Sequence, residues 1–590
     1  MTGGGTRDEE VREEGVRDEE ARNEGVRDEG ARYEGAWAAI VDLLVLAGVD
    51  TCFGLPGDDM ELPRALDAAG VELVPCLDQR NAVYMATGYA LQSGRTAVCA
   101  LGKGPAVTHA ATGLLEARES GAPVLLLAAG APESGRGSGG FQELDQVAAV
   151  APLVRWARRV GHPDRVVPEA AKALALTAGP PPGPVYLEIA DDVRTAQIVR
   201  TGPWPNMPEP LPDASSPVTS GPAAGAVLAS RRPVVLVGGG MRHRNADGAV
   251  ERFAARLDAA LFTTASGRGV VDERHPLFCG VAGLYASAPA RELFSACDLV
   301  ISLAGRLEET VTEGGTPWPP VPVVQVNIDP GGLSAEFPGP RVLGDARRAV
   351  LAWSRALDEA HADGKRGHAE TWAQEIALAR KSMAAEADAE RARAAREPGV
   401  RIAELLAALD ATASEPGVLV AENGLQDMWS YCYPFHTGGG SIVPSEQTPL
   451  GFGASAAIGV KRAAPHHEVT AFIGDGAFLA ARGDIAAAAG SHGGVLYVVL
   501  CNGGYGWLDA QRARLGLDAE RYPFARPGAP PPAFDEAGIH HRVLRDKAAL
   551  TDELRTARRW CAQGGTAVLM VPVAPDDIPP PVRDAEVVPQ

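Results

Sequence analysis

The chain is 590 residues long, which at roughly 100–200 residues per domain means about three to four domains and excludes a single small binding module. Its 75 acidic and 55 basic side chains leave a net charge of −20, which argues against a broad attraction to nucleic acid or to an anionic membrane. With 46% hydrophobic and 22% charged residues, the composition is that of a globular protein able to bury several cores.

Residues 7–35 repeat a five-residue theme (VRDEE, ARNEG, VRDEG, ARYEG) with 12 acidic and 6 basic side chains. A period of five fits neither a helix face nor a solenoid unit, and almost nothing there can be buried. Residues 1–35 are therefore expected to form an acidic disordered tail. This N-terminus lacks an apolar signal core and no run of about 18 apolar residues follows, so a cytoplasmic, membrane-free protein is expected. The eight cysteines include no CxxC pair and read as reduced thiols rather than zinc ligands or a disulfide framework.

From Ala36 the helical stretch AWAAIVDLLVLAG begins an alternation with the β-rich runs TCFGLPG, VELVPCL, RTAVCAL, PVLLLAA and PVYLEIA. Such alternation predicts a parallel sheet flanked by helices over residues 36–195. Residues 196–221 are rich in Pro and Ser and read as a linker. A second, Rossmann-like unit opens with PVVLVGGGM and spans 222–355; an Ala-, Glu- and Arg-rich helical connection covers 356–394. A third unit, 395–578, carries the strands VLVAEN, VTAFIGDG, VLYVVLCNGG and TAVLMVPV, and 579–590 is a closing tail. The expected fold class is α/β, with three consecutive parallel-sheet domains.

Two glycine turns differ in what they signal. Gly238-Gly239-Gly240 lacks the GxGxxG spacing and a following ribose-binding acid, so it reads as a tight strand-to-helix turn. The GDG at 474–476 ends a strand with a carboxylate, and Asn502 ends the next strand 27 positions later, so the two would sit on neighbouring strand tips. Mg²⁺ takes oxygen ligands, one or two from protein and the rest from phosphate and water; Asp475, the Asn502 amide and the Gly504 carbonyl would suffice. Gly474 and Gly476 let backbone approach a diphosphate, and the helix opening at Ala477 offers its N–H groups.

These motifs resemble those of the thiamine diphosphate-dependent family that includes acetolactate synthase, glyoxylate carboligase, pyruvate oxidase and benzoylformate decarboxylase. The likeness spans nearly all of residues 36–575. GDGAF up to LCNGGYG resembles the family's metal and diphosphate motif, with Cys501 in place of its first Asn and Asn502 at the usual ligand. PLGFGASAAIGVKRAAP resembles the segment whose large apolar residue, here Leu450, bends the cofactor. FGLPG, which holds Pro56 and Gly57, MATGYA, GPAVTHAATGLLEA and FQELDQ resemble the domain that binds the aminopyrimidine ring. The central unit resembles a domain that holds FAD in some members, and nothing in this sequence indicates a flavin. The resemblance implies thiamine diphosphate and Mg²⁺ as cofactors, and a homodimer or homotetramer with its site between subunits. It also implies a carboligase joining a carbanion derived from a 2-oxo acid to an acceptor carbonyl, with small 2-oxo acids or aldehydes as substrates. A decarboxylase or C–C lyase, or a cofactor-binding subunit of little activity, are the alternatives.

The pattern breaks six positions before Met85. The family places an activating glutamate there and this chain has Gln79, which can hydrogen-bond the pyrimidine but cannot exchange a proton with it. Either the chemistry proceeds without the carboxylate, or Asp78 stands in after a local shift, or turnover is weak. GKGPAVTH resembles a family loop, which implies that Lys103 and His109 lie near the reacting carbon, the alternative being that both merely cap the helix that follows; Phe141 and Gln142 match positions that line the substrate channel in acetolactate synthases. Gln511 stands where the acetolactate synthases carry a Trp. His436, His466, His467 and His492 are expected to be surface or structural.

Overall fold

The computed structural model describes residues 31–57, 60–200, 221–312, 318–364, 369–414, 416–432, 438–490, 493–523, 526 and 528–583. Three six-stranded sheets dominate it, and every pairing within them is parallel. The N-terminal sheet contains β2 (Thr51–Leu55), β3 (Glu72–Pro75), β4 (Ala97–Leu101), β5 (Val124–Gly130), β6 (Trp156–Val160) and β7 (Val185–Ala190), in the spatial order β3-β2-β4-β5-β7-β6. Its inner strands are short and largely apolar, fully buried in β4, β5 and β7 (Glu188 of β7 included), as a sheet covered on both faces by helices requires.

The central sheet comprises β9 (Pro233–Val237), β10 (Ala260–Thr263), β11 (Phe278–Val281), β12 (Leu299–Leu303), β13 (Val323–Asn327) and β14 (Arg341–Leu343), ordered β11-β10-β9-β12-β13-β14. Numbered from its own first strand this is 3-2-1-4-5-6, the Rossmann order. The C-terminal sheet has β15 (Gly417–Ala421), β16 (Gly438–Ile442), β17 (Glu468–Gly474), β18 (Val495–Cys501), β19 (Ile539–Val543) and β20 (Thr566–Pro572), ordered β16-β15-β17-β18-β20-β19. Numbered in the same way, the N-terminal and C-terminal sheets both read 2-1-3-4-6-5.

These two sheets meet through equivalent helices, Gln79–Ser93 and Phe452–Ala463, each joining the second strand of its sheet to the third. The crossing is backbone on backbone. A Cβ at Gly88 would fall 2.3 Å from the Ala456 carbonyl oxygen, and one at Gly459 would fall 1.8 Å from that of Met85. Fully buried Tyr84 and Phe452 stack edge to face beside the crossing, with ring centroids 5.6 Å apart. Hydrogen bonds lock the same junction: Asp484 accepts from the Leu77 amide at 2.6 Å and from Asn81 Nδ2 at 2.7 Å, and Glu116 accepts from the Ser445 amide at 2.8 Å and its hydroxyl at 2.7 Å.

The boundaries depart from the sequence expectation in four places. Arg32–Glu34, assigned to the disordered tail, is a strand (β1) paired antiparallel with β8 (Gln197–Val199), which had been assigned to the linker. Tyr33 packs on the N-terminal core and Ile198 is buried in it, which is what holds the pair. The division at 355/356 falls inside one helix, Ala346–Ala362, whose Val350, Trp353 and Leu357 all face the central core. The closing tail begins with a helical turn, Pro580–Arg583, anchored by buried Val582. The remaining tail and linker residues, 1–30, 201–220 and 584–590, lie outside the described residues, as do His436 and His492.

Candidate active site

The carboxyl tips of β17 and β18 carry the first group of residues. Gly474 pairs with Leu500, so Asp475, at the start of the Asp475–Ala489 helix, and Asn502, just past β18, occupy neighbouring tips as their spacing predicted. Asp475 is 6% exposed; its Oδ2 accepts from the Gly503 amide at 2.9 Å, while its Oδ1 is buried without a hydrogen-bond partner. Burial pushes this carboxyl above its ordinary range, and the N–H groups of Gly503, Gly476 and Gly504 act in the opposite sense. Asn502 Oδ1 accepts from the Gly504 amide at 3.2 Å, across a turn that glycine permits, with φ of 83° at Gly503 and 150° at Gly504.

An orphaned carboxylate oxygen costs about 1–3 kcal/mol or more, which a bound cation would relieve. Among the described residues no group of three or more His, Cys, Asp or Glu gathers as a metal site. Any ion here would instead be held by one carboxylate together with amide, carbonyl and ligand oxygens, a set that fits Mg²⁺. A Cβ on Gly476 would lie 2.9 Å from the Tyr505 ring, so only glycine keeps that backbone open. Ala477 is buried behind it, and the Gln426 side chain lies beside Gly474, held by its bonds to the Glu422 and Asn423 carbonyls at 3.0 and 2.6 Å.

Sequence reasoning missed Glu422, which follows β15 directly and is fully buried. Its carboxylate accepts from the Gly451 amide at 2.9 Å, Gly453 at 2.8 Å and Ala454 at 3.4 Å, and so pins the turn that presents Leu450, itself 40% exposed. Burial raises its carboxyl to about 8 against the pull of those three N–H groups. The available signal was an acid directly after the apolar run VLVA, followed by Asn423 and Gly424.

The second group sits at the carboxyl tips of β2 and β4, where the N-terminal sheet reverses its strand order. Pro56 and Gly57 directly follow β2, and a Cβ at Gly57 would lie 3.2 Å from Gly102 Cα. Gln79 is the first residue of its helix, and the capping Asp78 accepts from the Arg80 amide at 2.9 Å and pairs with its guanidinium at 3.3 Å. Both Asp78 carboxylate oxygens are thus engaged at the start of its own helix.

His109 Nδ1 lies 3.1 Å from Gln79 Oε1, so the structure brings these two predicted residues together. Lys103 does not join them; its ammonium pairs with Asp191 at 2.6 Å, tying the β4 tip to the end of β7. Phe141, 73% exposed, and Gln142, with φ of 56°, share a loop that packs on Gly104, where a Cβ would fall 2.7 Å from the Gln142 carbonyl. Gln146, also missed from sequence, secures this loop: its Oε1 accepts from the Gly104 amide, and its Nε2 donates to the Ala129 carbonyl at 3.0 Å and Tyr186 Oη at 2.9 Å.

Among the described residues no hydrogen bond or ion pair joins Gln79, His109 or Lys103 to Asp475 or Asn502. The start of the Gln79 helix is docked instead at Asp484, nine residues beyond Asp475 and therefore about 13 Å along that helix. The central glycine turn is closed: Cβ atoms at Gly238 and Gly240 would fall 2.4 Å from the Ala304 carbonyl oxygen and 2.9 Å from its Cβ. His466 is exposed beyond the Phe452–Ala463 helix, and the His467 carbonyl accepts from Lys461 at 2.8 Å, both away from either group.

Three parallel-sheet domains, two of them with glycine-lined strand tips and one of these with a buried carboxylate, form the frame in which the comparisons with known proteins can be placed. Residues 36–149 match the family model described as thiamine pyrophosphate enzyme, N-terminal TPP binding domain; residues 222–352 match its central domain, and 423–571 its C-terminal TPP binding domain. The chain belongs to the thiamine pyrophosphate enzyme family. It is 31% identical over 468 residues to a sulfoacetaldehyde acetyltransferase of Rhodobacter capsulatus, covering 75% of this chain and 77% of that one. It is 30% identical over 474 residues to a probable 2-ketoarginine decarboxylase of Pseudomonas aeruginosa (79% and 82%). Identity to a probable acetolactate synthase large subunit of Methanocaldococcus jannaschii is 27% over 456 residues (75% and 76%). The chain is thus a thiamine diphosphate-dependent transferase or lyase, and no described helix is long and apolar enough to cross a membrane.

Proposed function

We propose that the protein is a Mg²⁺-dependent carboligase that joins a fragment of a small 2-oxo acid to an acceptor carbonyl. The observation that carries this reading is the buried, unpartnered Asp475 Oδ1 beside the Asn502 amide on adjacent strand tips. Asp475, Asn502 and the Gly504 carbonyl would hold the metal; Gly474, Gly476 and Ala477 would cradle the diphosphate, and Leu450 would support the cofactor's bend. Pro56, Gly57 and Gln79 would face the aminopyrimidine. When bound, thiamine diphosphate supplies the electron sink for breaking the bond beside a substrate carbonyl. Lys103 and His109 would border the reacting carbon, with Phe141 and Gln142 on the substrate approach.

Gln79 stands where a glutamate is expected, and an amide does not exchange protons, so cofactor activation is slowed rather than lost. The separation of the two groups within one chain supports a homodimer or homotetramer in which one subunit's β2–β4 tips meet another's β17–β18 tips. Eight unpaired thiols support a reducing, cytoplasmic location.

Calorimetric titration with thiamine diphosphate, with and without Mg²⁺, tests the site. Metal-dependent binding in the native protein and at least about 100-fold weaker binding in Asp475→Ala are expected, because a charged ligand of the ion is lost. Absence of binding under every condition would overturn the reading. The relationship to a decarboxylase favours a second outcome, release of an aldehyde, and product analysis with 2-oxo acids separates the two.

A further inference from the structure

The helices that carry Gln79 and His109 form a rigid frame. A Cβ at Gly113 would fall 2.6 Å from Val83 Cβ and 3.1 Å from the Arg80 carbonyl oxygen, so the Pro105–Glu119 helix rests directly on the Gln79 helix. The capping bond from Asp78 to the Arg80 amide fixes the helix start on which Gln79 sits. Across this frame His109 Nδ1 lies 3.1 Å from Gln79 Oε1. An amide oxygen can only accept, so this contact is a hydrogen bond in the form of His109 that carries a hydrogen on Nδ1. With its oxygen engaged, the carboxamide turns its NH₂ to the opposite side, and no described residue supplies an acceptor there.

We propose that His109 is a positioning residue that fixes the Gln79 amide as an obligate hydrogen-bond donor, so that this site selects a ligand ring by a nitrogen lone pair. This rests on the thiamine diphosphate reading above and adds to it the polarity of the contact. A carboxyl group at this position could donate or accept according to its protonation. The amide held by His109 can only donate, leaving the ring nitrogen hydrogen-bonded and unprotonated across the working pH range.

The test is the affinity, by calorimetry at saturating Mg²⁺, of the native protein for thiamine diphosphate and for its 1′-deaza analogue, in which the ring nitrogen N1′ is C–H; the 3′-deaza analogue is the control. The native protein is expected to bind the 1′-deaza analogue about 10- to 100-fold more weakly than the parent, and the 3′-deaza analogue nearly as well. In His109→Ala the amide is free to rotate, and the discrimination should shrink to within about threefold. His109→Asn, whose side-chain NH₂ can donate to Gln79 Oε1, should restore it. Equal binding of the 1′-deaza compound by the native protein, or full discrimination retained in His109→Ala, overturns the inference while leaving the cofactor reading intact. Failure of thiamine diphosphate itself to bind overturns both.

Discussion

Glu422 takes a carboxyl group into a fully buried position, where its oxygens accept from three backbone N–H groups. Its carboxyl, raised to about 8, keeps its proton in the folded protein through neutral pH while the unfolded chain has lost it. Folding therefore takes up a proton between about pH 5 and 8, and stability falls as pH rises through that window by up to about 1.4 kcal/mol per unit. Asp427, raised by burial to about 7, adds to the same slope over the lower part of the window. Denaturant titrations of native protein and Glu422→Gln at pH 5.5 and 8 measure this. The variant should be less stable at pH 5.5 yet lose less on going to pH 8; identical slopes would assign the dependence elsewhere. At Gln79, Gln79→Glu should speed exchange of the C2 proton of bound cofactor, read by NMR, by about tenfold or more, since a positioned proton carrier contributes on that scale. An unchanged rate would mean that Gln79 does not face the pyrimidine.

Among the elements, the crossing of the Gln79 and Phe452 helices depends on having no side chain at Gly88 and Gly459. Gly459→Ala puts a methyl group into the Met85 carbonyl and should destabilise the chain by about 1–3 kcal/mol, with the midpoint of urea unfolding as the readout. Gly225, with open space around its Cα, is the control glycine and should tolerate Ala. Neither crossing glycine was legible as such, because within MATGYA and SAAIGVK each reads as one more small residue of a helix. The placement of Asp475 and Asn502 was legible, because each closes a continuous β-branched and apolar run that only a buried parallel strand explains. The β1–β8 pair was not: three residues show no period, and its partners are 165 positions apart, as Arg32 opposite Val199 and Glu34 opposite Gln197 bracket. The His109–Gln79 contact lay between these cases. The motifs marked both residues, but their meeting depends on how closely Gly113 lets two helices approach.

Across the whole molecule, exposed apolar side chains border both groups of site residues: Leu77 at 66% and Phe141 at 73% on one side, Leu450 at 40% and Tyr505 at 46% on the other. A second copy that brings the groups together would cover such side chains. Light scattering on the eluting protein should give at least twice the chain mass, and dilution to a monomer should abolish cofactor binding. A monomer that binds thiamine diphosphate as tightly as the assembly would refute a site shared between subunits. Thiamine diphosphate with Mg²⁺ should raise the melting temperature of the assembly in proportion to the logarithm of its concentration, since it binds only the folded form.

The helix crossing carries one more meaning. Gly88 faces Ala456 and Gly459 faces Met85, and a shift of 371 positions turns Met85 into Ala456 and Gly88 into Gly459, so the two contacts are one contact seen twice. Both partners stand at the same place in sheets of the same strand order. Self-complementary contact of this kind is what a two-fold axis imposes on identical subunits. The N-terminal and C-terminal domains therefore look like the descendants of one ancestral unit that first paired with itself. Within one chain the two domains thus meet as two copies of one unit would, each presenting the same helix, at the same place in its sheet, to the other.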